Sequence, residues 1–223
     1  MSTRPHAILF DFDGTLIDSA QSVLAALREA LDTVGIPTAI PIEPAIIGPP
    51  LRQTLRMLAG SDDPVLIDTL AAAFRASYDE TGYQATEVYS GVPEMLSGLA
   101  SAGIALHIVT NKRIAPTRRI LAHLGWTDRF AGIYALDALT PPAPHKPALV
   151  ATVLERERLV PDSTWMVGDS SEDRRSAEGN ALRFWAASWG YGGAGATSEQ
   201  SSAVGRVDVL RAPLELLRYA GLA

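Results

Sequence analysis

The chain of 223 residues contains no cysteine. This absence excludes disulfide bonds, thiolate metal sites and a cysteine nucleophile. The chain also has no basic run, and its 19 lysines and arginines against 25 aspartates and glutamates give a net charge of −6. We therefore expect neither nucleic acid nor an anionic membrane as a general partner.

Long apolar runs are also missing. The N-terminal segment MSTRPHAILFD has one arginine and lacks the apolar core of a secretory signal. The most apolar later region, residues 34–51, contains five prolines and cannot form a membrane-spanning helix. We expect a soluble, cytoplasmic protein that is a monomer or a homodimer and has no membrane partner.

Short apolar runs recur along the chain and are typical of buried parallel strands: residues 7–11, 104–110, 132–136, 165–169 and 182–188. Helical patterns lie between them, with proline near the start and glycine just past the end, at residues 92–103, 116–124, 147–159 and 170–178. The alternation of strand and helix predicts an α/β fold built on a doubly wound parallel sheet.

One interval breaks this alternation. Residues 19–84 show no strand pattern but three helical patterns: one capped by Ser19 and ended by Gly35, one ended by Gly60, and one opened by Asp63. We therefore predict two domains. Residues 1–18 and 85–223 form the α/β core, and residues 19–84 form an inserted all-helical domain.

Polar side chains follow several of the predicted strands. The first strand ends in Asp11 and Asp13, the second in Thr110 and Asn111, and the fourth in Asp169. Ligands of open α/β sheets bind outside the carboxyl ends of the strands, so we expect these residues to converge on one crevice.

Clustered carboxylates repel one another unless a cation joins them. Their hard oxygens suit Mg²⁺, which keeps waters and shares phosphate oxygens. Lys146 would add a second positive charge, and the Thr110 hydroxyl could hold phosphate oxygens. Gly14 lets the chain turn sharply after the acidic pair. The sequence therefore predicts a magnesium site that binds phosphate oxygens.

Four segments, DFDGTLIDS, VTNK, HKP and VGDSSED, resemble in order and spacing the motifs of the haloacid dehalogenase superfamily of hydrolases. The helical insertion sits where that superfamily places a C1-type cap, and we call residues 19–84 the cap from here on. The segment IIGPPL and the overall layout look most like phosphoglycolate phosphatase-type members.

The resemblance implies a Mg²⁺-dependent phosphatase that acts on a small phosphorylated metabolite, with phosphoglycolate as the first candidate. It also implies roles for individual residues. Asp11 would be the nucleophile that forms an aspartyl-phosphate, and Asp13 the acid and base. Asp11, the backbone carbonyl of Asp13 and Asp169 would ligate Mg²⁺, with Asp173 bracing the site. Thr110 and Lys146 would position and neutralise the phosphoryl group. Asn111, Gly14 and Arg52 are candidate substrate-binding residues, with Arg56 the rival of Arg52 for a substrate carboxylate.

Several alternatives stay open. A pyrophosphatase or a hexose-phosphate mutase belongs to the same superfamily, although Gly14-Thr15 resembles the phosphatases. A dehalogenase is disfavoured because those relatives lack the second aspartate. A phospho-accepting receiver module or a catalytically silent scaffold would be a different class of protein, and the helical insertion counts against the receiver.

Overall fold

The central feature of the fold is a six-stranded parallel sheet. In the computed structural model, which describes residues 4–192 and 208–222, its order is β5-β4-β1-β6-β7-β8. Its strands are β1 (Ala7–Phe10), β4 (Ala105–Thr110), β5 (Gly132–Ala135), β6 (Thr164–Gly168), β7 (Arg183–Ala187) and β8 (Asp208–Leu210). The five predicted core strands are confirmed within one or two residues, and β8 joins them at one edge.

Helices cover this sheet: α4 (Val92–Ser101), α5 (Ile114–His123), α6 (Lys146–Arg156), α7 (Ser171–Glu178) and α8 (Glu215–Tyr219). One apolar cluster, with Phe10, Ile108 and Trp185, packs with α4, α5 and α8. A second cluster, with Leu9 and Met166, packs with α6 and α7. Leu9 and Phe10, neighbours in β1, thus pack on opposite faces of the sheet, as expected when helices cover both faces. The α/β prediction is confirmed.

The cap residues form three helices, α1 (Ala20–Val34), α2 (Leu51–Ala59) and α3 (Pro64–Tyr78), and no strand lies in the described residues between 19 and 84. These helices pack around their own apolar cluster, which includes Leu27, Leu55 and Leu70. A separate cluster supports the proposed division of the chain at residues 18/19 and 84/85, which stays a proposal.

The chain passes between core and cap through two short strands that the sequence did not reveal. β2 (Ile17–Asp18) and β3 (Glu87–Val88) pair antiparallel, with Ile17 opposite Val88. Strands of two residues show no alternation of apolar and polar positions, which is why the sequence pattern did not predict them.

Among the described residues, none of the helices has the length and apolar character needed to cross a membrane.

Candidate active site

Three neighbouring strands deliver the predicted polar residues to one edge of the sheet. β1 lies between β4 and β6, and all three run parallel. Asp11 follows the end of β1, Thr110 ends β4, and Asp169 follows the end of β6. Residues more than 150 positions apart in sequence therefore meet where ligands of such sheets bind.

Three carboxylates form the centre of the site. Oxygen atoms of Asp11, Asp169 and Asp173 lie within 4.8 Å of one another, and all three residues are buried. The carboxylate group of Asp13 points elsewhere, since it is bonded to other side chains described below. Because hard oxygen donors converge at short range, this triad could hold a divalent cation.

Lys146 lies against the triad as its counter-charge. Its Nζ atom is 2.5 Å from Asp11 Oδ1 and 2.5 Å from Asp173 Oδ1, and its side chain is only 2% exposed. Lys146 is the first residue of α6, where His145 at the N-cap accepts a hydrogen bond from the Ala148 amide. The start of the helix therefore fixes the direction in which the lysine leaves the backbone.

The charges in the triad are not balanced by protein groups alone. Burial, with the charge of Asp173 adding to it, raises the pKa of Asp11 well above its usual value even though Lys146 lowers it. Burial and Asp173 also raise the pKa of Asp169 to about 7. Burial alone would lower the pKa of Lys146, but Asp11 and Asp173 raise it above its usual value. One ammonium among three buried carboxylates leaves an excess of negative charge that a divalent cation would offset.

Two backbone features orient Asp169. Its Oδ2 atom accepts hydrogen bonds from the amides of Tyr191 (2.6 Å) and Gly192 (3.1 Å), which follow β7. Gly14, with φ of +81°, lies against the same carboxylate, and a Cβ atom there would come within 2.3 Å of Asp169 Oδ2. The sharp turn predicted at Gly14 is present, and its missing side chain leaves the room that the carboxylate occupies. Of the glycine-rich segment 190–195, residues 193–195 lie outside the described residues.

Asp173 is held by the first turn of α7. Ser170 is the N-cap of this helix, and its hydroxyl accepts a hydrogen bond from the Asp173 amide at 3.1 Å. The Asp173 Oδ2 atom in turn accepts hydrogen bonds from the Ser170 amide (3.0 Å) and hydroxyl (2.6 Å). This capping box fixes one carboxylate oxygen and leaves the other facing Lys146.

The Asp13 carboxylate has a separate set of partners. Lys112 Nζ lies 2.9 and 3.2 Å from its two oxygens, and the Ser19 hydroxyl donates to Oδ1 at 2.5 Å. Ser19 stands at the N-cap position of α1, but its side chain makes no capping hydrogen bond, so the predicted cap is wrong. The Asp18 carboxylate accepts from the Ala20 amide instead.

Lys112 is a site residue whose role sequence reasoning missed. Although burial opposes the charge, the nearby Asp13 raises the pKa of this lysine, so it is a cation held beside the second aspartate. Its position two residues after Thr110, within the segment VTNK, was the available signal.

Tyr191 is a second residue that the sequence analysis missed. Its hydroxyl accepts hydrogen bonds from the Ser19 and Ala20 amides and donates one to the Asp18 carboxylate.

Thr110 and Asn111 lie where the prediction placed them, at the end of β4. The buried Thr110 hydroxyl accepts a hydrogen bond from the Lys112 amide at 3.1 Å. The Asn111 side-chain amide donates to the Gly48 carbonyl of the cap (2.8 Å) and to Glu172 of α7 (2.6 Å). Asn111 thus connects the core to the cap beside the triad.

The structure does not bring Arg52 to the site. Its guanidinium forms an ion pair with Asp68, and both side chains are largely exposed on the cap. Arg56 lies 3.6 Å from Asp62 in a similar exposed pair. Neither arginine lines the cavity above Asp11 and Asp13. Binding of a substrate carboxylate by Arg52 therefore stays a prediction without support from this arrangement.

Comparison with known proteins places the chain in a family. The family model described as haloacid dehalogenase-like hydrolase matches residues 8–187. The tyrosine-protein kinase PtkA of Mycobacterium tuberculosis is 31% identical over 203 residues, which cover 90% of this chain and 68% of that protein. A phosphoglycolate phosphatase of Xylella fastidiosa is 35% identical over 191 residues, which cover 84% of this chain and 82% of that protein.

A solved structure agrees with these matches. A haloacid dehalogenase-like family hydrolase from Streptococcus pneumoniae superimposes with a TM-score of 0.80 and 26% identity, covering 98% of each chain. The family match agrees with the strand order and with the four sequence motifs. The chain belongs to the haloacid dehalogenase-like hydrolases and is similar to the phosphoglycolate phosphatases among them.

Proposed function

We propose that this protein is a Mg²⁺-dependent phosphatase that hydrolyses a small phosphomonoester through an aspartyl-phosphate on Asp11. The observation that carries the proposal is the buried triad of Asp11, Asp169 and Asp173 with Lys146 against it. The family match and the phosphatase named among the relatives support the same reaction.

The donor set of this triad fits Mg²⁺. Carboxylate oxygens are the ligands this ion takes in phosphate-handling sites. Burial and the charge of Asp173 raise the pKa of Asp11, and a bound divalent cation would favour the ionised carboxylate. Asp11, Asp169 and the backbone carbonyl of Asp13 would hold the ion, while Asp173 holds Lys146 in place. When bound, Mg²⁺ would neutralise the phosphoryl oxygens and orient them toward Asp11.

In the first step, an oxygen of Asp11 attacks phosphorus and the bond between phosphorus and the ester oxygen breaks. Asp13 gives its proton to the departing alkoxide. Lys146, whose Nζ atom lies 2.5 Å from Asp11 Oδ1, and the Thr110 hydroxyl at the end of β4 would stabilise the charge that develops on the phosphoryl oxygens.

In the second step, water attacks the phosphorus of the aspartyl-phosphate while ionised Asp13 accepts its proton. The bond between phosphorus and the Asp11 oxygen breaks, which releases inorganic phosphate and restores the carboxylate. Lys112 Nζ lies 2.9 Å from Asp13 Oδ1 and would hold this carboxylate in place for the proton transfer. The Ser19 hydroxyl fixes one Asp13 oxygen at the junction of core and cap.

The direct test measures release of inorganic phosphate from p-nitrophenyl phosphate and from 2-phosphoglycolate, the ester that the named relative indicates first. We expect turnover with Mg²⁺, none in excess EDTA, and poor turnover with Ca²⁺, whose looser coordination misplaces the nucleophile. Asp11→Asn is the matched control and should be inactive. Full turnover in excess EDTA, or undiminished turnover by the control, would contradict the proposal.

A further inference from the structure

A cavity lies between the strand ends and the cap, and its two sides differ in chemistry. On the core side it is lined by polar residues of the site, including Asp11, Asp13 and Asn111. On the cap side the walls are chiefly apolar, with Val23, Leu27, Ile47, Leu51, Phe74 and Tyr78 among them. A phosphoryl group bound at Asp11 would therefore direct the rest of its ester toward apolar side chains.

Two aromatic rings lie in the cap wall, although Phe74 and Tyr78 are only 5% and 1% exposed. The rings of Phe74 and Tyr78, one turn apart on α3, stack with their centroids 5.2 Å apart and an interplanar angle of 22°. Among the described cap residues that line the cavity, Thr54 and the Tyr78 hydroxyl are the polar side-chain groups. The half-buried side chains of Val23, Ile47 and Leu51 supply accessible apolar area in this wall. Such a wall gains most from an apolar or aromatic ligand group, because contact removes apolar area from water on both sides.

The basic side chains of this cavity already have carboxylate partners. Among the described lining residues these are Lys112, paired with Asp13, and Arg113, whose guanidinium nitrogens lie 2.8 and 2.5 Å from the two oxygens of Asp79. A carboxylate on the substrate would thus lose its hydration without gaining a cation of its own, which is strongly unfavourable.

We propose that this site selects phosphomonoesters whose alcohol part is uncharged and apolar or aromatic over carboxylate-bearing esters such as 2-phosphoglycolate. The proposal rests on the phosphatase function proposed above and adds the substrate class. It does not depend on which alcohol the cell supplies, because the cap wall recognises the apolar character of the group and the core recognises the phosphate.

The first test compares benzyl phosphate with 2-phosphoglycolate. Both are esters of primary alcohols, so the acidity of the leaving group does not dominate the comparison. We expect kcat/KM for benzyl phosphate to be at least about tenfold higher, in the range that apolar pockets give for small apolar groups. Equal values, or a preference for 2-phosphoglycolate, would overturn the proposal.

A binding measurement with the same two esters distinguishes failure of this inference from failure of the proposed function. If the protein hydrolysed no phosphomonoester at all, the phosphatase function would fail. The relative affinity of Asp11→Asn for the two esters, measured by calorimetry with Mg²⁺ present, would still decide the inference. Tighter binding of benzyl phosphate supports an apolar site, and tighter binding of 2-phosphoglycolate contradicts it.

A second test frees a cation inside the cavity. Asp79→Asn removes the carboxylate partner of Arg113, so the guanidinium becomes available to a substrate carboxylate. We expect the ratio of kcat/KM for 2-phosphoglycolate over benzyl phosphate to rise about tenfold or more. The matched control is Asp68→Asn, which frees Arg52 outside the cavity and should leave the ratio unchanged. An unchanged ratio in Asp79→Asn, or the same rise in both variants, would count against the proposal.

A third test changes the apolar wall itself. Ile47→Asn places an amide in the cavity, and we expect it to lower the preference for benzyl phosphate about tenfold. Ile42→Asn is the control, because Ile42 is also half-buried in the cap cluster but does not line the cavity. Loss of cap stability would lower activity on both esters in both variants. A shift of the ratio in Ile47→Asn alone supports the apolar wall, and no shift there contradicts it.

Discussion

Replacing Lys146 with methionine tests how the three buried carboxylates are tolerated. Methionine keeps most of the side-chain volume but removes an ammonium that lies 2.5 Å from both Asp11 and Asp173. Removing one partner of a buried ion pair costs about 3–5 kcal/mol, because the remaining charge is left without compensation. Lys146 compensates two carboxylates, so we expect a loss toward the upper end of this range.

For a chain of 223 residues, each kcal/mol corresponds to a shift in Tm of about 2–4 °C. A loss of about 4–5 kcal/mol for Lys146→Met should therefore lower Tm by roughly 8–20 °C in EDTA. Mg²⁺ should raise the stability of the variant more than that of the unmodified protein, since the ion then supplies the missing charge.

The assay is thermal and urea unfolding of both proteins with EDTA and with Mg²⁺. Lys112→Met is the matched control, because Lys112 is also buried but forms an ion pair with one carboxylate, that of Asp13, so its replacement should cost less. A loss within about 1 kcal/mol for Lys146→Met in EDTA, well below the cost of breaking a buried pair, would refute the electrostatic reasoning. A gain from Mg²⁺ no larger than in the unmodified protein would refute the role of the ion.

Three further substitutions test other parts of the site. Gly14→Ala would place a Cβ atom 2.3 Å from Asp169 Oδ2 at φ of +81°, so we expect turnover to fall at least about a hundredfold and Mg²⁺ to bind more weakly in a calorimetric titration; normal values would show that the turn adapts. Arg52→Ala should leave kcat/KM unchanged for both 2-phosphoglycolate and p-nitrophenyl phosphate, and a selective rise in KM for 2-phosphoglycolate would restore Arg52 as a substrate ligand. Tyr191→Phe removes a hydroxyl bonded to two amides and to Asp18, so we expect about 1–3 kcal/mol lower stability in urea unfolding; no loss would mean that water replaces these bonds.

The sheet was predictable because its signals are local. Each core strand of four to six residues is an apolar run, and the residues that matter follow directly in sequence, as Asp11 follows β1. Once the strands are assigned to a parallel sheet, the meeting of Asp11, Thr110 and Asp169 follows from topology alone. Lys146 was predictable for another reason, since a cluster of acids needs a positive partner.

The missed features depend on contacts between distant segments. Lys112 and Asp13 are 99 positions apart in sequence, and Tyr191 and Asp18 are 173 apart. No local sequence pattern therefore predicts that either pair is in contact. Ser19 has the residue type and position of a helix cap, but the nearby Asp13 carboxylate takes its hydroxyl instead. The pairing of Arg52 with Asp68 has the same cause, because the partner lies on a different helix of the cap.

The measurement that tests the central claim most directly is trapping of the phosphoenzyme. Asp13→Asn keeps the nucleophile but lacks the acid and base, a role worth about 10²–10⁴-fold in rate. After rapid acid quench from p-nitrophenyl phosphate and Mg²⁺, mass spectrometry should find this variant phosphorylated on Asp11, and Asp11→Asn should carry no phosphoryl group. Equal labelling of both variants, or a phosphoryl group on any other residue, would contradict Asp11 as the nucleophile.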